Sequence, residues 1–96
     1  MATYKVIKPI VAAGEVLKFL AEQREPISGR EVERALCIPY GTVMCYLATL
    51  ESIRFVRKVG EYYELGHDAA MLWAKKKVQL ETKMERNQRE LAELEG

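Results

Sequence analysis

Residues 27–65 read ISGREVERALCIPYGTVMCYLATLESIRFVRKVGEYYEL, and three signals in this stretch fall in an order that decides the fold. Ser28 followed by Glu31 is a capping box, and the apolar residues Val32, Ala35 and Leu36 recur behind it at helical spacing. The turn Cys37-Ile38 leads into a second helix. Pro39 suits its first turn, where a missing N–H loses no partner, and Val43, Leu47 and Leu50 form a stripe at i, i+4, i+7. Two β-prone runs follow, Phe55-Val56-Arg57-Lys58-Val59 and Tyr62-Tyr63-Glu64-Leu65, separated by Gly60-Glu61. They predict a hairpin. Two tightly joined helices followed by a hairpin are the order of a winged helix-turn-helix.

Working outward, residues Pro9 to about Gln23 predict a preceding helix with Ile10, Ala13, Val16, Leu17, Leu20 and Ala21 on one face. Pro26 closes it, because a proline disfavours helical geometry in the residue before it. The core candidates are Val16, Leu17, Leu20, Ile27, Val32, Leu36, Ile38, Val43, Leu47, Leu50 and Val56. Beyond Gly66, the run from Asp68 to about Glu95 lacks proline and glycine and predicts one long helix, with Asp68 as its cap. About 27 residues at 1.5 Å each give roughly 40 Å, too long to lie wholly against so small a domain. Its heptads place Ala70, Lys77, Met84 and Leu91 at a and Trp73, Leu80, Asn87 and Leu94 at d. The expected fold is therefore mainly α (α+β), with three helices and a two-stranded β-hairpin wing in residues 1–66, then a long C-terminal helix in residues 67–96.

Composition narrows the function. A chain of 96 residues, 49% apolar and 30% charged, suits one small domain. The N-terminus has no signal-peptide pattern and no run approaches a membrane span, so the expectation is a cytoplasmic protein without a membrane partner. Cys37 and Cys45 form no Cys-x-x-Cys pair, and His67 is the single histidine, so neither a zinc site nor a disulfide framework is expected. No nucleophile–base pattern, phosphate-cradling glycine loop or paired-carboxylate signal is present, which argues against an enzyme and against a cofactor.

The second helix of the motif, about Pro39 to Ser52, carries the function. With Val43, Leu47 and Leu50 inward, Gly41, Cys45, Ala48 and Ser52 point directly outward, and Thr42, Met44 and Thr49 lie on the flanks. In a helix-turn-helix this face meets base edges in the major groove. It carries no charge, and none of the usual readers of guanine or adenine (Arg, Lys, Asn, Gln) lies between Pro39 and Leu50. Two readings follow. Small residues let the backbone approach DNA while Thr42 and Thr49 bond phosphate or base edges and Met44 touches thymine methyls, giving specific or weakly specific duplex binding. Alternatively the face, with Tyr40 and Met44, docks a helix of another protein without direct DNA readout. Net charge is only +1, so placement matters more than bulk field. Arg30 at the first motif helix, and Arg54, Arg57 and Lys58 at the hairpin, are the candidate phosphate contacts, with Lys5 and Lys8 in the N-terminal arm.

The segments Ile38-Pro39-Tyr40-Gly41-Thr42-Val43, Leu47-Ala48-Thr49-Leu50-Glu51 and Tyr63-Glu64-Leu65-Gly66 resemble the N-terminal domain of IclR-type transcriptional regulators, over roughly residues 8 to 72. The resemblance implies a double-stranded DNA partner and, because the sequence ends before an effector domain, no small-molecule effector. It also implies pairing through the helix after the wing. The heptad seam predicts the same from the residues themselves, a homodimeric coiled coil through Trp73, Leu80, Met84, Asn87, Leu91 and Leu94. The alternative for this segment is a solvated helix that frays beyond Lys83.

Overall fold

The computed structural model describes residues 3–96; Met1 and Ala2, which open the expected 1–66 domain, lie outside the described residues. The elements follow the expected order: α1 (Lys8–Glu22), α2 (Gly29–Leu36), α3 (Tyr40–Ser52), β1 (Val56–Val59), β2 (Tyr62–Leu65) and α4 (His67–Glu95). The two strands pair antiparallel with Val59 opposite Tyr62 and Val56 opposite Leu65, which leaves Gly60-Glu61 as the turn. Gly60 adopts φ 63°, the left-handed geometry that a two-residue hairpin turn needs. Ile27 extends the sheet on the far edge of β2, exchanging both backbone hydrogen bonds with Tyr63 at 2.7 and 2.9 Å.

The core is where the apolar spacing put it. Val16, Leu20, Ile27, Val32, Val43, Leu47, Leu50 and Val56 are buried, with Leu17, Leu36 and Ile38 half-buried around them. Tyr63 joins this core. Three expected inward positions face solvent instead: Ile10, Ala21 and Ala35. Ile10 lies in the first turn of α1, beyond the packed part of that helix, and Ala21 stands about 100° round the helix from buried Leu20. Ala35 sits on the outer side of α2, whose eight residues bury only Gly29 and Val32 fully.

Each helix boundary has a local cause. At α2 both halves of the capping box form: the Glu31 amide donates to Ser28 Oγ at 3.2 Å and the Ser28 amide to Glu31 Oε2 at 2.9 Å. Cys37 ends α2 in the left-handed region, φ 56° and ψ 39°. Pro39 lies one place before the first turn of α3 as its N-cap, and its carbonyl accepts from the Val43 amide. The end of α3 is a Schellman motif: the Phe55 amide reaches the Leu50 carbonyl, the Arg54 amide reaches the Glu51 carbonyl, and Arg54 takes the left-handed position at φ 64°.

Asp68 does not cap α4. The helix begins at His67 with Gly66 as N-cap, two residues before the expected cap, and Asp68 lies in the first turn, its amide donating to the Arg54 carbonyl at 3.1 Å. A main-chain carbonyl of the preceding turn thus supplies what a side-chain cap was expected to provide. From there α4 runs 29 residues with none of them buried.

Candidate nucleic-acid interface

The candidate interface centres on α3, because the inner stripe of this helix is fully committed to the core. With Val43 and Leu47 at zero exposure, rotation of the helix is fixed and its opposite face must look outward. Gly41, Cys45, Ala48, Thr49 and Ser52 are exposed and Thr42 is half-buried on the flank, as the helical spacing predicts. No added atom would meet a neighbour at Gly41, so this end of the face is open space.

Two details alter what the face can offer. Thr49 Oγ1 donates to the Cys45 carbonyl at 2.7 Å, and Ser52 Oγ donates to the Thr49 carbonyl at 2.6 Å. Both hydroxyl protons are therefore spent within the helix, and Thr49 can only accept from a ligand. Met44 is half-buried against the core, its sulfur close over Gly29 of α2. Its thioether fills the joint between the two motif helices more than it covers the outer face.

A cleft of about 380 Å³ runs between the start of α2, the start of α3 and the wing, and it gathers Arg30 from α2, Tyr40 and Met44 from α3 and Lys58 from β1. Ser28, Glu61 and Tyr62 share its lining and were not among the expected contacts. The Arg30 guanidinium stacks over the Tyr40 ring at 3.8 Å, a contact that holds the long side chain at the mouth of the cleft. A second hollow at the base of the wing gathers Arg54, Arg57 and Lys58 with Glu51 and His67. Lys58 borders both.

The electrostatics are more balanced than a count of basic residues suggests. Arg30 pairs with Glu33 at 3.2 Å, Arg57 with Glu64 at 3.9 Å and Arg54 with Asp68 at 3.8 Å. All three pairs are largely solvated, so each is loosely held. Lys58 has no carboxylate partner among the described residues. The Arg57–Glu64 pair was legible in advance from the hairpin register, and Arg30–Glu33 from i,i+3 spacing. Arg54–Asp68 depends on how α4 leaves the wing and had no sequence signal.

The expected dimerisation residues lie elsewhere, along α4. Trp73, Leu80, Met84, Leu91 and Leu94 are all exposed, Trp73 at 68%, and Lys77 Nζ lies 5.5 Å from the Trp73 ring centre. Cys37 and Cys45 are free thiols. Among the described residues no helix is long and apolar enough to cross a membrane.

Compared with known proteins, residues 11–60 match the family model of the IclR helix-turn-helix domain, from the first turns of α1 to the tip of the wing. No curated protein and no solved structure matches the chain.

Proposed function

The chain belongs to the IclR helix-turn-helix domain family, a DNA-binding family of transcription regulators rather than enzymes, and from that premise we propose that it binds double-stranded DNA as a small homodimeric regulator in the cytoplasm. In this reading α3 enters the major groove. Gly41, Cys45 and Ala48 let its backbone come close to the base edges, Thr42 and Thr49 accept or bridge hydrogen bonds, and the wing lies along the phosphate backbone.

The observation that carries this reading is the cleft beside the exposed end of α3, where Arg30, Tyr40 and Lys58 converge although 28 residues separate the first from the last. A backbone strand crossing there meets two cations and an aromatic hydroxyl next to a helix face free of bulky side chains. Specificity is weak in this account, because no side chain on the outer face of α3 makes a bidentate contact with guanine or adenine.

The test is fluorescence anisotropy of a labelled mixed-sequence duplex at several salt concentrations. Micromolar or tighter binding that falls steeply with salt supports the proposal. The same uncharged face of α3 also suits a helix of a partner protein. Absence of duplex binding at low salt favours that second reading.

A further inference from the structure

We infer that two copies of this chain pair through α4 in antiparallel fashion, with Lys77 of each copy facing Asn87 of the other. The inference rests on the homodimer of the proposed function and adds its geometry. Alone, α4 is incomplete: it leaves an apolar seam from Trp73 to Leu94 in water, with Leu94 85% exposed. Two polar residues interrupt that seam, Lys77 and Asn87.

The pairing direction follows from what each arrangement puts opposite these breaks. A parallel, in-register pair sets Lys77 against Lys77 inside the seam and stacks Trp73 on Trp73, a like-charge contact and an oversized layer. An antiparallel pair centred on residue 82 gives four different layers. Met84 meets Leu80, Trp73 meets Leu91, Ala70 meets Leu94, and Lys77 meets Asn87, whose amide oxygen can accept from the ammonium group. Sliding this pair by one heptad either way sets Lys77 against Leu80 or Leu94 and Asn87 against Ala70 or Met84. Only the centred register satisfies both polar breaks with each other.

The charge along the helix points the same way. Residues 67–80 carry three lysines against one aspartate, and residues 81–95 carry five glutamates against three basic residues, so the halves are +2 and −2. Antiparallel pairing lays the basic half on the acidic half, with Lys76 beside Glu90 of the second copy. Like pairs of Lys83 and of Glu81 fall at the centre, on solvated flanks where they cost little. A parallel pair lays the basic half on the basic half and the acidic on the acidic, relieved only where Lys76 falls beside Glu81 of the second copy.

One functional consequence is spacing. The starts of the two α4 helices stand about 30 residues apart along the rod, roughly 45 Å. The winged domains then sit at opposite ends, too far apart for half-sites one helical turn from each other, about 34 Å. They suit half-sites of wider spacing or two separate duplex segments.

The experiment uses the full chain with Cys37→Ser, Cys45→Ser and Glu93→Cys, spin-labelled at position 93, with its mass in solution measured first. The expected result is a dimer with a label-to-label distance of at least about 33 Å, from 22 residues of offset at 1.5 Å each. A dimer with labels under about 20 Å apart overturns the orientation and leaves the homodimer standing. A monomer overturns both, while loss of duplex binding alone bears only on the DNA reading. As a second readout, Lys77→Leu and Asn87→Leu share a layer in this pairing. The double variant should tighten dimerisation at least threefold beyond the product of the single effects, whereas independent effects overturn the register.

Discussion

Gly66 and the backbone of Arg54 lie so close that a Cβ placed on Gly66 would overlap the Arg54 carbonyl oxygen and come within 2.8 Å of its carbon and 2.9 Å of the Phe55 carbonyl carbon. This approach joins three elements. The Gly66 amide donates to the Phe55 carbonyl at 2.8 Å, and the Arg54 carbonyl accepts from Asp68 in the first turn of α4. Glycine at 66 is therefore what allows the end of α3, the base of the wing and the start of α4 to meet.

Gly66→Ala should destabilise the domain by about 2 kcal/mol or more, because the atoms it meets belong to the main chain and cannot rotate away. Chemical denaturation checks this. An unchanged midpoint for the variant would show that α4 can leave the wing by another path.

Cys37 closes α2 in left-handed geometry, where any side chain is strained. Cys37→Gly is expected to raise stability by about 0.5–1 kcal/mol, and Cys37→Ala to leave it nearly unchanged. Equal midpoints for glycine and alanine would refute the strain assignment.

Arg54 occupies the left-handed position of the Schellman motif while its side chain borders the hollow at the wing base. Arg54→Gly should hold or raise the unfolding midpoint yet weaken duplex binding, separating the contribution of its backbone from that of its charge. A variant that loses stability and keeps its DNA affinity would reverse both assignments.

Arg57→Ala combined with Lys58→Ala is expected to weaken binding nearly uniformly across duplex sequences and to reduce the steepness of the log–log salt dependence by up to about 2. Thr42→Ala should instead lower any preference among sequences. Anisotropy titrations against several duplexes distinguish the two patterns, and unchanged affinity in both variants would remove the wing and α3 from the interface.

Gly29 is buried beneath Met44, whose sulfur would lie 2.6 Å from a Cβ there. Since that atom is the end of a flexible chain, Gly29→Ala should cost only about 1 kcal/mol. Adding Met44→Ala should cost less than the two single changes summed. Strict additivity in unfolding experiments would mean that the two sites do not share this space.

Much of the architecture was legible in the sequence because it depends on local periodicity and local hydrogen bonding. Ser28 and Glu31 are three residues apart and cap α2 whatever surrounds them. Val43, Leu47 and Leu50 recur at the helical repeat, so the inner and outer faces of α3 follow from spacing alone. Gly60-Glu61 between two β-prone runs sets the hairpin register and with it the pairing of Arg57 with Glu64. The seam of α4 likewise rests on a repeat within one helix.

Tertiary structure decided what depends on distance in the chain. Tyr62 and Tyr63 are equally aromatic, and the backbone exchange with Ile27 accompanies the burial of Tyr63 while Tyr62 is left exposed. Ile10 looks like a core residue by periodicity but lies past the packed part of its helix, where no partner covers it. Asp68 has the chemistry of a cap, yet the Arg54 carbonyl reaches its amide because the turn after α3 passes directly beneath α4. The sequence by itself determined the elements, their order and their faces, since these arise from interactions within a few residues. The meeting of Arg30, Tyr40 and Lys58 in one cleft was decided only by packing, which brings together side chains that no local pattern relates.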